Sequence, residues 1–130
     1  MIYNPKEFKL EKTTIWSFKE RGKWATHKGD YRGNCPPQVP RNLILKYTEE
    51  KDIVLDPFCG SGTSMIECKL LNRKGIGIDI NIDALKLAKS RLNFEYQTIY
   101  EPRLLRANST NLQKIIPNEK IDFIFAHPPY

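Results

Sequence analysis

The stretch that most narrows what this chain can become is "DIVLDPFCGSGTSMIECKLLN", residues 52–72. Its opening, Ile53-Val54-Leu55, is a short apolar, β-branched run of the kind buried in a parallel sheet. Gly60 and Gly62 punctuate a turn, and "SGTSMIECKLLN" fits a helix opened by Ser61 or Thr63. A strand that ends in a glycine turn and re-enters at once as a helix is the first half of a β-α-β unit.

The rest of the chain repeats that alternation. "GIGID" (75–79) reads as a second strand, and Asn81 is a good N-cap for "IDALKLAKSRLNF", where Ile82, Leu85, Ala88 and Leu92 fall on one face. "RLLRAN" (103–108) reads as a third strand and "IDFIFA" (121–126) as a fourth. Strands alternating with helices predict an α/β fold with right-handed crossovers and a parallel sheet. Residues 1–50 differ: "GNCPPQVPR" has too many prolines for a regular helix or central strand. After Pro40, "RNLILKYTEE" carries Leu43, Ile44 and Tyr47 at the spacing of a short amphipathic helix. One domain over 1–130 is expected, with a basic, aromatic segment at 1–50 and a β-α-β core at 51–130.

Composition excludes several classes. With 40% hydrophobic and 28% charged residues the chain reads as globular and soluble, and no apolar run approaches the ~20 residues of a membrane helix. "MIYNPKEFKLEK" has no apolar core or small-residue cleavage site, so it is not a secretory signal. Cys35, Cys59 and Cys68 form no C-x-x-C pair; neither a metal site nor a disulfide framework is expected, and the cytoplasm is the default location. The formal charge is +6, and residues 1–50 hold ten Lys/Arg against six Asp/Glu. That excess suits a polyanionic partner and equally an ordinary basic surface.

The glycine turn carries the first chemical signal. It stands where open parallel sheets bind ligands, beyond the carboxyl ends of the strands, and its helix presents free N–H groups. Gly60 and Gly62 are expected to let a ligand approach where a Cβ would block it. A P-loop is excluded because no Lys follows Gly62, and G-S-G lacks the third glycine of a dinucleotide site. Asp56 in this loop repels a pyrophosphate but can engage an ammonium, which favours S-adenosylmethionine. About 20 residues on, Asp79 is placed to accept hydrogen bonds from ribose hydroxyls.

"DPFCGSGT", followed by "HPPY" at the end of the fourth strand, resembles the amino-group DNA methyltransferases, which make N4-methylcytosine or N6-methyladenine. The resemblance covers almost the whole chain. "IWSFKERGKWATHKGDYRGNCPPQVPRNLILKYT" is similar to a segment that, in one branch, precedes the cofactor loop and closes over the methionine end. The resemblance implies a Rossmann-like S-adenosylmethionine-dependent methyltransferase fold, about four strands in the order 3-2-1-4, incomplete at its C-terminal side. It implies that Asp56, Pro57, Phe58, Cys59, Gly60, Ser61, Gly62 and Thr63 form the cofactor loop. Asp79 would bind the ribose, and Ile80 would pack on the adenine. Asn108 stands where the family usually has an Asp, and would accept from the adenine amino group through its carbonyl oxygen. Thr26, His27, Pro40, Arg41 and Asn42 are further pocket candidates, with His27 equally readable as a loop histidine holding backbone.

The resemblance makes His127, Pro128, Pro129 and Tyr130 the catalytic tetrapeptide. An exocyclic amino nitrogen is a poor nucleophile because its lone pair is delocalised into the ring. Accepting both its N–H protons in hydrogen bonds frees that pair for attack on a methyl sulfonium. His127 would accept one bond and the Pro128 carbonyl the other, held in place by the two prolines. Tyr130 would stack on a flipped base, worth ~1–3 kcal/mol. The family's commoner first residue is Asp, Asn or Ser. A neutral imidazole can accept such a bond and an imidazolium cannot, so transfer is expected to fail on acidification.

An apolar fourth strand at a sheet edge is a pairing liability. Three expectations follow: a complementing C-terminal polypeptide, a truncated product, or self-association through that edge. The function expected is methylation of duplex DNA, cytosine slightly favoured over adenine, as in restriction-modification. The alternatives are a non-catalytic S-adenosylmethionine-binding half-domain and an RNA or tRNA amino-methyltransferase.

Overall fold

The computed structural model describes residues 1–129. Helix α1 (Gln38–Tyr47) leads into β1 (Ile53–Asp56), α2 (Thr63–Leu70), β2 (Lys74–Asp79), α3 (Ile82–Leu92) and β3 (Arg103–Arg106). A 3-10 turn (Ser109–Asn111) and the short α4 (Leu112–Ile115) precede β4 (Phe123–Ile124). The sheet is parallel in the order β3-β2-β1-β4, as expected. Among the described residues no helix is long and apolar enough to cross a membrane.

Strand alternation divides the core between two faces. Val54 joins Met65, Ile66, Cys68, Leu85 and Leu92 under α2 and α3, while Leu55, Ile76 and Ile78 face Leu112, Ile115 and Ile121. The G-I-G-I run of β2 sorts its side chains the same way. A Cβ at Gly75 would stand 2.9 Å from Met65 Sδ, and one at Gly77 would stand 3.0 Å from Cys59 Cβ. The bare glycines let α2 and the loop before it lie directly on the strand.

Local details depart from the expected bounds. Neither Ser61 nor Thr63 caps α2; Gly62 does, at φ +89° and with no side-chain cap. A Cβ on Gly62 would meet Ala88 Cβ of α3 at 2.9 Å, so this glycine serves helix packing rather than ligand approach. Gly62→Ala is therefore expected to cost about 1–3 kcal/mol of unfolding free energy in urea. An unchanged midpoint would show that α3 gives way freely.

Helix α3 is capped as expected, the Asn81 side chain accepting from the N–H groups of Asp83 and Ala84. Its inward face is rotated from the expected one: Ala84 and Arg91 are buried with Leu85, Ala88 and Leu92, whereas Ile82 is exposed. The close approach at Gly62 draws the Ala84–Ala88 ridge inward. At the far end the buried Lys69 donates to the carbonyls of Leu92 (2.8 Å) and Phe94 (2.6 Å), placing a cation where α3 leaves its carbonyls. β3 stops at Arg106 because Asn108 turns away to cap the 3-10 turn. Only Phe123 and Ile124 of the expected 121–126 run are assigned to β4, although Asp122 N–H and Phe125 N–H still donate to Ile53 and Leu55 of β1.

Candidate active site

A cavity of about 390 Å³ opens at the carboxyl ends of the strands. Its walls are Asp56–Gly60 with Thr63 and Ser64, Asp79–Asn81 after β2, Ala107–Ser109 after β3, and Phe125, His127 and Pro129 after β4. The fourth side is Tyr31–Cys35, part of an N-terminal strap. Of the sequence-predicted residues, Asp56, Pro57, Phe58, Cys59, Gly60, Thr63, Asp79, Ile80, Asn108, His127 and Pro129 are brought together there. Ser61 (1% exposed), Gly62 and Pro128 are not in the lining, and Tyr130 lies outside the described residues.

Asp56 dominates the electrostatics. It is 3% exposed and accepts from Phe58 N–H at 2.9 Å and from the Ser64 hydroxyl. Burial pushes its carboxyl up to about 6; the bonds from Ser64 and Phe58 pull the other way, and the nearby Asp79 charge adds to the rise. Among the described residues no cation pairs with it. A buried carboxylate of this kind, facing a cavity, is complementary to a small ammonium.

Asp79 spans the loop from the other side. Its Oδ2 accepts from Gly60 N–H and its Oδ1 from Asn81 N–H, both at 2.9 Å, leaving further lone pairs on each oxygen for hydroxyls. Tyr31 lies over Gly60: a Cβ at Gly60, whose φ is +52°, would come 3.1 Å from its ring. Partial burial, with the charge of Asp79, raises the Tyr31 phenol. Burial likewise raises the Cys59 thiol, which is thus inert rather than nucleophilic. Ser109 Oγ donates to the Pro57 carbonyl at 2.5 Å and ties the β3 end to the glycine loop.

Six expected placements change. Asn108 Oδ1 accepts from Thr110 N–H (3.0 Å) and from the Thr110 hydroxyl (2.9 Å), so its acceptor oxygen is engaged. The amide nitrogen remains for a ligand, and a donor matches a ring nitrogen of adenine rather than its amino group. His27 and Arg41 do not line the cavity; both bind Glu67, at 2.8 and 2.7 Å, in a buried cluster. Thr26, Pro40 and Asn42 also lie outside the lining: the Thr26 hydroxyl bonds the Arg91 carbonyl, and Asn42 bonds Glu11 N–H and the Gln38 carbonyl.

Sequence reasoning missed Tyr31, Asn34, Ser64, Asn81 and Phe125. Asn34 Nδ2 reaches Ser61 Oγ (3.3 Å) and Thr63 Oγ1 (3.5 Å), a long-range pairing without local signal. Ser64 could have been found as a polar residue on the turn of α2 nearest Asp56.

Sheet order and a pocket at the strand ends define a Rossmann-like α/β fold, the one that S-adenosylmethionine-dependent methyltransferases share. A SAM-dependent methyltransferase from Agrobacterium tumefaciens shares it at a TM-score of 0.61 and 16% identity, over 75% of this chain and 33% of that one. Within that class the chain belongs to the DNA methylase family, whose profile matches residues 3–90. A second profile, that of RNA cap guanine-N2 methyltransferases, matches residues 51–130. The Type II methyltransferase M.HpaI of Haemophilus parainfluenzae is 40% identical over 65% of this chain and 27% of its own length. The tRNA (guanine(10)-N2)-dimethyltransferase of Methanothermobacter thermautotrophicus is 32% identical over 77% of this chain and 28% of its own length. The chain thus spans under a third of either relative.

Proposed function

We propose that this chain binds S-adenosylmethionine and presents the catalytic edge of a DNA amino-methyltransferase. The observation that carries the reading is Asp56, a buried carboxylate without a cationic partner among the described residues, in the wall that also holds His127 and Pro129. The cofactor supplies an electrophilic methyl group on a sulfonium. Asp56 would take its ammonium, Asp79 its ribose hydroxyls, and Ile80 and Asn108 its adenine. His127 and the Pro128 carbonyl would accept the two protons of a target amino group, drawing its nitrogen out of conjugation. Tyr130 is proposed to stack on the flipped base.

Duplex DNA is the proposed substrate, with cytosine N4 ahead of adenine N6, in a cytoplasmic setting. Closure of the β4 edge by a second polypeptide or a second copy belongs to the same proposal. The RNA profile over 51–130 favours one competing reading, an amino group of RNA guanine. The test is methyl incorporation from labelled cofactor into duplex DNA and into tRNA. Label in DNA alone supports the proposal; label in tRNA alone replaces it with the RNA reading. Cofactor uptake without transfer to either, even with the C-terminal portion of a relative added, leaves a binding half-domain.

A further inference from the structure

Among the described residues, Glu67 is the one fully buried carboxylate that the proposed chemistry does not use. It lies on α2 one turn beyond Thr63, on the same face of that helix. Oε1 accepts from Arg41 of α1 at 2.7 Å, while Oε2 accepts from Trp24 Nε1 at 2.9 Å and pairs with His27 Nε2 at 2.8 Å. A single side chain with 0% exposure thereby joins α1, α2 and the N-terminal strap.

The strap follows the same α2 face toward the cavity. His27 meets Glu67, and seven residues later Asn34 meets Ser61 and Thr63. Tyr31, midway between these two attachments, is the residue that lies over Gly60. An isolated strap of this kind has no helix or strand to hold it: its residues before α1 form only turns and bends. Its position is therefore set by side-chain attachments, and Glu67 provides the deepest of them.

From this arrangement we infer that Glu67 is a positioning residue for cofactor binding. Through Trp24 and His27, and alongside Arg91 of α3, which bonds the Asp30 carboxylate and the Lys28 carbonyl, it sets where the strap lies, and so where Tyr31 and Asn34 stand over the glycine loop, without touching the ligand. A buried ionic cluster is weak as a source of net stability, because desolvation offsets most of its attraction. It is well suited to fixing one geometry, since a carboxylate with three convergent donors has few alternative arrangements. The inference rests on the S-adenosylmethionine reading of the cavity.

The test compares wild type, Glu67→Gln, Asn34→Ala and Leu70→Ala by amide hydrogen exchange and by calorimetric titration with S-adenosylmethionine. Glu67→Gln keeps the shape but weakens the hold on Arg41 and His27. Exchange over residues 24–35 should quicken at least tenfold while β1 and β2 keep their protection, and cofactor affinity should fall at least tenfold. Asn34→Ala cuts the near attachment together with the Asn34 bonds to Arg21 and to the Lys28 carbonyl, so affinity should fall with exchange at 24–27, next to Glu67, unchanged. Leu70→Ala opens a core cavity on the same helix and should lower stability with affinity intact. The inference is overturned if Glu67→Gln binds like wild type, or if Leu70→Ala loses affinity to the same degree. Wild type that takes up no cofactor would instead defeat the reading of the cavity, and unchanged strap exchange in Glu67→Gln would separately defeat the positioning role.

Discussion

An Asp56→Asn protein is expected to outlast wild type in urea at pH 7.5 and to lose its cofactor. In the folded ligand-free state the Asp56 carboxyl is raised from 3.8 to about 6, chiefly by burial. Its folded pKa lies above its unfolded one, so between these values the folded chain binds more protons than the unfolded chain. Stability then falls as pH rises from about 4 to about 6, and the loss is complete above that window. The magnitude is about 3 kcal/mol at neutral pH. Asparagine keeps the shape and can still accept from Phe58 N–H, yet carries no charge to desolvate. The unfolding free energies of wild type and variant should therefore coincide below about pH 4 and separate up to about pH 6. Parallel curves across that range would show that Asp56 is not the group responsible. Titration with S-adenosylmethionine at pH 7.5 should show affinity reduced by about 100-fold or more, because the ammonium loses its buried counter-charge. Wild-type affinity should itself weaken below about pH 6, where Asp56 takes up a proton.

Gly60→Val should have an equally large effect through sterics alone. Gly60 sits at φ +52°, and a Cβ there comes 3.1 Å from the Tyr31 ring. A β-branched residue at positive φ is strained by about 1–3 kcal/mol, and Tyr31 must also move. The Gly60 N–H, which bonds Asp79 Oδ2 at 2.9 Å, would be displaced with it. Binding of S-adenosylmethionine should fall below detection by calorimetry, while the far-ultraviolet circular dichroism stays close to wild type. Retained binding would mean that the loop and the ring are not part of the ligand's seat.

The parts that local pattern specifies were legible in the sequence. Ile53–Asp56, the glycine turn, "GIGID" and the Asn81 cap declare themselves within a few residues, and the resemblance then implied the strand order. The parts held by distant partners were not. His27 and Arg41 were expected at the pocket because nothing local reveals that Glu67, a charged residue on a helix, is fully buried between them. Gly62 was read as room for a ligand, whereas Ala88, remote in sequence, explains its bareness. Asn108 differs in that its partner is local: the acceptor role assigned to it is already used by Thr110, two residues on, because the chain turns there instead of continuing the strand. Tyr31 and Asn34 fall in the segment that the resemblance placed over the methionine end, but without periodicity nothing local singled out either residue.

The pairing of β1 with β4 has a further consequence. Val54 lies opposite Phe123 and Leu55 opposite Ile124, and the Asp122 carboxylate latches this register by accepting from Ile53 N–H at 2.8 Å. Asp56 and His127 ride just beyond those pairs, so under the proposed function two rungs and one latch would act as the gauge between methyl donor and acceptor. A slip of one rung would shift the histidine by ~3.3 Å and turn it toward the opposite face. Both halves of the crevice would survive such a slip intact, and only their calibration would be lost.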